Sequence, residues 1–175
     1  MKKIVIVCGS IAGLIVSAMI VISTAITYRS GNLEGSMLVG YATMILAFSL
    51  IFVGIKNYRD KYNNAVISFR KAFKVGLYIT LIASTIYVVV WLVDYYFFIP
   101  DFGEKYAAYM LEKLRAGGAS QLEIAKQTKE MASFTEMYKN PLFNALISYT
   151  EIVPVGLLVT LISAFILKRK VKPVA

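Results

Sequence analysis

The strongest constraint on the fold is a set of four long apolar runs, each almost free of charged side chains. They extend over residues 4–28, 35–55, 75–99 and 141–167. At about 1.5 Å per residue in a helix, each run is long enough to cross a hydrocarbon core of roughly 30 Å. Runs of this length are typical of helices, which satisfy their own backbone polar groups inside a bilayer. The sequence therefore predicts an all-α fold, with one integral membrane four-helix bundle formed by residues 1–175.

The composition supports this class and excludes several kinds of site. Hydrophobic residues make up 58% of the chain, and the mean hydropathy is +0.67, as expected of an integral membrane protein. Because there is no histidine and only one cysteine, a His-based triad, a Cys/His zinc site and an internal disulfide are excluded. No two carboxylates or tyrosines form a recognisable catalytic pair by spacing. We therefore predict no metal, no organic cofactor and no enzymatic activity.

The net charge of +9 comes from basic clusters at the ends of the apolar runs, which indicates topology rather than a nucleic-acid surface. Lys2 and Lys3 precede the first run, six basic residues follow the second, and others follow the fourth within Lys168–Lys172. An even number of crossings separates these clusters, so all three share one side. The positive-inside rule identifies that side as the cytoplasm. We predict a multi-pass membrane protein, with both termini cytoplasmic and no nucleic-acid partner.

The segment between the second and third runs combines basic and aromatic side chains. Asn63 and Asn64 predict a turn, and Ser68 predicts the cap of a helix that begins at Phe69. One interpretation of the basic residues is contact with anionic lipid headgroups; the other is an ordinary solvated anchor. The candidate lipid contacts are Lys56, Arg59, Lys61, Arg70, Lys71 and Lys74.

The first run shows small residues at every fourth position, namely Gly9, Gly13 and Ser17. This spacing places them on one helix face, where a neighbouring helix can approach closely. Packing within the bundle is the favoured interpretation, and a dimerisation face is the alternative. The run is also too long for the apolar region of a cleaved signal peptide, so we expect a retained signal anchor.

A polar segment of mixed charge, residues 101–140, separates the third and fourth runs. Two helical patterns flank Gly117 and Gly118, and Ser120 with Glu123 predicts a capping box for the second helix. We expect an extracytoplasmic helical hairpin. Its apolar stripes either pack against each other or dock a protein partner or a second copy of the chain. The stripes consist of Tyr106, Met110 and Leu114 on the first helix and of Ile124, Met131, Thr135 and Tyr138 on the second.

Asp94 closes the third run and has aromatic neighbours, Trp91 and Tyr95–Phe98. It lies about 30 Å along the helix axis from Lys74, which places it at the outer headgroup level. An aromatic girdle is typical of this interface. We therefore expect Asp94 to be a hydrated interfacial residue.

Glu151 is an acid inside the fourth run, about 15 Å along the helix from Pro141 and so within the outer leaflet. Because an acid in this layer is costly, its side chain should face the bundle. Pro154 lies three residues further on and frees a backbone carbonyl of the preceding turn. One interpretation is a protonatable hinge formed by Glu151 and Pro154, and the other is an acid that locks helix packing. The candidate partners of such a lock are Tyr28, Arg29 and Tyr87.

Three stretches of the sequence carry a resemblance to a known family. They are GIKNYRDKY (54–62), SFRKAFKVGL (68–77) and NPLFNALISYTEIVPVGLLVTLISAFILKRK (140–170). With these stretches the chain resembles a family of small bacterial membrane proteins catalogued as domain of unknown function 4199. The resemblance covers nearly the whole chain. It implies a bacterial four-helix membrane protein, and it transfers no catalytic or binding residue to this sequence.

Two functions fit these features. The first is a non-enzymatic interaction or scaffold component that presents its outer hairpin or basic inner face to other proteins. The second is a small proton-coupled transporter or channel subunit that uses Glu151. Few polar side chains are available in the third and fourth runs to line a solute path, so we favour the first. They are Thr80, Asn144, Ser148, Thr150, Thr160 and Ser163.

Overall fold

The computed structural model describes residues 1–30, 33 and 37–169. The elements within these ranges are helical, which confirms the predicted all-α class. In chain order they are α1 (Lys2–Ser30), α2 (Met37–Tyr62), α3 (Phe69–Val93), a π-helical turn (Asp94–Phe98), α4 (Phe102–Ala116), α5 (Gln121–Tyr138) and α6 (Pro141–Leu167). Four stretches are long and apolar enough to cross a membrane: α1, α2 from Leu38, α3 together with the π-helical turn, and α6.

The helices extend beyond the apolar runs on the basic side of the bundle. α2 continues past residue 55 to Tyr62, and α3 begins at Phe69 rather than at residue 75. The basic side chains in these extensions reach outward while the backbone stays helical. The predicted cap is confirmed, because Ser68 accepts a hydrogen bond from the backbone N–H of Lys71 at 3.3 Å. Residues 35 and 36, where the second run begins, lie outside the described residues, as do Lys170 and Lys172.

The connection between α2 and α3 is a tight turn, as the two asparagines predict. Asn64 and Ala65 both have positive φ, at 49° and 58°. The side-chain amide of Asn63 donates to the carbonyl of Val66 and thereby closes the turn. Further along, Ile67 and Arg169 exchange two backbone hydrogen bonds, of 3.1 and 2.8 Å. The end of α6 is therefore tied to the α2–α3 connection.

Small residues bring α1 into close contact with α3. A Cβ atom added at Gly9 would lie 2.8 Å from the Cβ of Ile82. One added at Gly13 would lie 3.1 Å from the Cα of Ala83. Gly9, Gly13 and Ser17 are all buried within this one chain. The structure thus supports packing within the bundle over a dimerisation face.

α3 also packs against α6 along a seam that contains small and polar residues. The hydroxyl oxygens of Thr80 and Thr160 lie 3.1 Å apart. Nearer the outer end, the indole N–H of Trp91 donates to Oδ1 of Asn144 at 2.9 Å, and the hydroxyl of Ser148 donates to the carbonyl of Asn144 at 2.9 Å. Two of these bonds, Thr80 with Thr160 and Trp91 with Asn144, join α3 to α6, whereas that of Ser148 lies within α6. The buried face of α6 consists of Asn144, Ser148, Ile152, Gly156, Thr160, Ser163, Ala164 and Leu167.

The expectation of a hydrated Asp94 is wrong. Only 8% of its surface is exposed, and Thr24 of α1 donates a hydrogen bond to its carboxylate at 2.9 Å. The reason is that α1 still packs against this end of α3, so that Asp94 lies between two helices. Trp91 and Tyr95 form part of an apolar cluster at the same level. The hydrogen bond from Thr24 offsets part of the cost of burying a polar group.

The α4–α5 segment contacts the ends of α1 and α3. Tyr28 of α1 donates a hydrogen bond of 2.5 Å to Asp101, and Nζ of Lys105 lies 2.9 Å from the other oxygen of that carboxylate. The hydrogen bond from Tyr28 and then that from Lys105 hold the pKa of Asp101 below its usual range. From the π-helical turn, Tyr96 donates to the carbonyl of Tyr138 at 3.1 Å. Contacts on both sides thus hold the hairpin against the bundle.

We expect Gly13→Ala to lower the free energy of unfolding by about 1 to 3 kcal/mol, because the new methyl group would overlap the backbone of Ala83. Gly40→Ala is the matched control, since a Cβ at Gly40 has no neighbour within 4 Å. Alanine also favours a helix over glycine by up to about 1 kcal/mol, so this variant should keep or gain stability. Thermal unfolding in detergent measures both. Equal stability of the two variants would contradict the proposed contact.

Candidate functional site

A lateral groove of about 540 Å³ lies between α1 and the first turns of α2. Two turns of α1 between Val16 and Ser23 form one wall, and residues of α2 between Val39 and Met44 form the other. Tyr87 of α3 and Glu151 of α6 complete the lining. The volume falls in the range typical of small-molecule sites. The groove, which sequence analysis did not predict, is the candidate functional site.

The groove exists because the two halves of α2 pack differently. Phe48, Ile51 and Ile55 in its second half are fully buried, whereas Leu38 and Tyr41 in its first turns are exposed. α2 therefore closes against the bundle at its basic end and stands away from it at the other. The hydropathy of α2 gave no signal of this difference, since both halves are apolar.

Glu151 lines the groove instead of bonding a partner in the packed core. Its side chain is exposed to the groove, while Ser148 and Ile152 beside it on α6 are buried. Within residues 1–30, 33 and 37–169, no hydrogen bond or ion pair joins its carboxylate to another residue. The side chain thus borders the groove beside the buried face of α6, and its predicted position inside the bundle stays a prediction.

The three predicted partners of Glu151 have different positions. Tyr87 lines the same groove. Tyr28 instead donates its hydroxyl to Asp101, and Arg29 is exposed near the end of α1. The structure therefore brings one of the three to Glu151, and it shows no hydrogen bond between them. Both interpretations of Glu151, as an acid that locks helix packing and as part of a protonatable hinge, stay predictions.

Pro154 lies inside α6, and the helix continues through it. A proline at this position deprives the carbonyl of Thr150 of its helical partner. The hydroxyl of Thr150 does not replace that partner, because it donates to the carbonyl of Ile147 at 2.7 Å. α6 consequently lacks one backbone hydrogen bond beside Glu151, which is compatible with a hinge at this level.

The apolar stripes of the outer hairpin face each other across a second cavity, of about 340 Å³. Tyr106 of α4 lines it from one side, and Met131, Thr135 and Tyr138 of α5 line it from the other. Burial and then the nearby charge of Glu151 raise the pKa of Tyr138 to about 12. A cavity separates these parts of the stripes, so packing between the stripes and docking of a partner both stay predictions. The predicted capping box of Ser120 with Glu123 is confirmed.

The six predicted lipid contacts all lie at one end of the bundle, where two of them have structural roles. Arg59 pairs with Asp60 at 2.6 Å and donates to the carbonyl of Leu167 at 3.4 Å. Lys71 donates to Oδ1 of Asn63 at 2.8 Å. The other four, Lys56, Lys61, Arg70 and Lys74, are exposed. Contact with anionic headgroups stays a prediction for these residues.

Glu151→Leu should leave the stability of the protein unchanged or raised, because no hydrogen bond is lost and apolar surface is added to the groove. Asn144→Leu, at another polar position of α6, should cost about 1 to 3 kcal/mol, since Trp91 would lose its acceptor. Thermal unfolding in detergent at neutral pH compares the two. A loss at Glu151 as large as that at Asn144 would show that Glu151 locks the packing after all.

Comparison with known proteins places the chain in a family. No curated protein and no solved structure matches it. Residues 8–169, nearly the whole chain, match the family described as Protein of unknown function (DUF4199), which confirms the predicted resemblance. The match includes all four apolar helices and the outer hairpin. The chain therefore belongs to the DUF4199 family.

Proposed function

We propose that this chain is a non-enzymatic interaction component of the bacterial inner membrane, which binds a small membrane-dissolved molecule in the groove at Glu151. The observation that carries the proposal is an open cavity of about 540 Å³ whose walls, among the described residues, are largely apolar and contain a single acid. An open groove of this volume is typical of small-molecule sites. The acid in it has no hydrogen-bond or ion-pair partner among the described residues, which also supports an occupant.

Binding accounts for the groove better than catalysis does. General acid–base and nucleophilic mechanisms require a catalytic group with a second group that activates or orients it. Glu151 shares the groove with the phenols of Tyr41 and Tyr87 and with hydroxyls such as that of Ser23. None of these is a second carboxylate or a base. This set of side chains is suited to holding a ligand.

The proposed topology places both termini and the α2–α3 connection in the cytoplasm. The support for it is the asymmetry of charge, because the six basic residues from Lys56 to Lys74 lie at the end of the bundle opposite the outer hairpin. In this orientation the basic end meets the anionic inner leaflet, where exposed lysines attract lipid headgroups. The hairpin of α4 and α5 then stands outside.

Cysteine labelling tests the topology. In intact cells an impermeant maleimide should label Ser120→Cys in the hairpin and leave Asn63→Cys unlabelled until the cells are lysed. The native Cys8 is buried, so the wild-type protein should stay unlabelled and serves as the background control. Labelling of Asn63→Cys in intact cells would contradict the proposed orientation.

A proton-coupled transporter or channel subunit is the second candidate, and the open position of Glu151 favours it. Transport requires a path from the groove to the other side of the membrane. The polar side chains of α6 do not supply one, because Asn144, Ser148 and Thr160 are buried in the seam with α3. Thr160 is in addition paired with Thr80. For this reason we favour binding over passage.

A neutral fluorescent probe, N-phenyl-1-naphthylamine, tests binding in the groove. Protein in lipid nanodiscs should give saturable fluorescence above that of empty nanodiscs. Gly40→Phe should abolish this signal, because its side chain would occupy groove space that is empty next to Gly40. Leu46→Phe is the control, since Leu46 lies on α2 outside the groove and is 69% exposed. Equal binding by both variants would contradict the proposal.

A further inference from the structure

We propose that the groove is a site for a hydrophobic organic monocation, which competes with a proton for the carboxylate of Glu151. This inference rests on the proposed binding function of the groove, and it names the class of molecule that the groove takes. Three properties of the groove lead to it: the sign of its charge, its dimensions and the way its charge responds to pH.

The charge of the groove selects the sign of its occupant. Among the described residues that line the groove, Glu151 is the charged side chain, and none is a lysine or an arginine. A carboxylate among apolar side chains is costly unless a proton or an opposite charge neutralises it. Tyr41 and Tyr87, which also line the groove, carry rings of the kind that attract organic cations. An anion would be repelled, and a neutral molecule would bind beside the protonated acid without any gain from its charge, so the groove should prefer a cation.

The dimensions of the groove distinguish an organic cation from other positively charged partners. A transmembrane helix is about 10 Å across and needs a groove that runs the length of the leaflet. The groove here covers only two turns of α1, between Val16 and Ser23. Hard metal cations prefer roughly six or more oxygen ligands, whereas Glu151 supplies a single carboxylate. A compact cation with an apolar body fits both the volume of about 540 Å³ and the apolar walls.

Protonation matters because Glu151 is the carboxyl group among the described residues that line the groove. The titratable groups that surround it are Tyr41 on α2, Tyr87 on α3 and Tyr138 on α5, and α1 contributes only the hydroxyl of Ser23. Phenols ordinarily titrate near pH 10 or above. Protonation of the carboxyl group removes the negative charge and weakens cation binding. Affinity should consequently rise with pH, and binding should release a proton to water.

Tetraphenylphosphonium and tetraphenylborate provide a direct test, because they have nearly the same shape and opposite charges. Equilibrium dialysis against wild-type protein in nanodiscs should show saturable binding of the cation above that of empty nanodiscs, and no such excess for the anion. The affinity for the cation should rise with pH as the carboxyl group of Glu151 loses its proton. Equal binding of both ions, or an affinity that does not depend on pH, would overturn the inference.

Two variants assign the effect to Glu151. Glu151→Gln should bind tetraphenylphosphonium at least roughly tenfold more weakly and without pH dependence. Glu112→Gln, which removes an exposed acid of α4 outside the groove, should behave like the wild type. Cation binding by Glu151→Gln that equals the wild type would overturn the inference. Should Glu151→Gln fail to fold, the pH dependence and the sign selectivity of the wild type decide.

Binding of the neutral probe distinguishes failure of the proposed cation preference from failure of the proposed binding function. Binding of N-phenyl-1-naphthylamine that Gly40→Phe abolishes, without any preference for the cation, would overturn the inference and leave the proposed function standing. Absence of binding by both probes would overturn both. Retained binding of the neutral probe by Glu151→Gln would show that its groove is intact, so that loss of the cation reports the lost charge.

Discussion

The close approach of α3 to both α1 and α6 is the contact on which the rest of the bundle depends. Inside a bilayer, apolar side chains gain little from leaving lipid, so helices associate where their surfaces fit closely. Gly13 permits this approach on one side of α3, and Gly156 faces Thr80 on the other. Because α3 is the common neighbour, three helices form a tight unit by themselves. α2 completes that unit only over its buried half, from Ala47 to Ile55, and the groove is the space that it leaves.

Features of the fold that depend on local pattern could be predicted from the sequence. The apolar runs, the cap at Ser68 and the capping box of Ser120 with Glu123 each depend on residues a few positions apart. The groove could not be predicted, because it depends on which part of α2 contacts the other helices. Leu38 and Ile51 are equally apolar in the sequence, yet one is exposed and the other fully buried. The hydrogen bond between Tyr28 and Asp101 likewise joins residues that only the tertiary fold brings together.

Asp94 and Glu151, two acids in the half of the bundle nearer to α4 and α5, show how the packing around an acid affects its role. Asp94 is buried between α1 and α3 and accepts a hydrogen bond from Thr24. Glu151 lines a cavity, and the described residues offer its carboxylate no such bond. The sequence predicted the reverse, namely a hydrated Asp94 and a Glu151 side chain that faces the bundle. The two acids differ because helices pack closely around Asp94 and leave a groove at Glu151. The carboxylate of Glu151 is therefore not used to stabilise the fold.

The junction of α5 and α6 has a mechanical consequence. Only Lys139 and Asn140 separate the two helices, and the side chain of Asn140 accepts hydrogen bonds from the first backbone N–H groups of α6, at Leu142 and Phe143. Pro141 adds a fixed φ at this point. Because the connection is short and hydrogen-bonded, it allows little independent movement of the two helices. We therefore expect any change in the tilt of α6, which carries Glu151, to change the orientation of α5 as well.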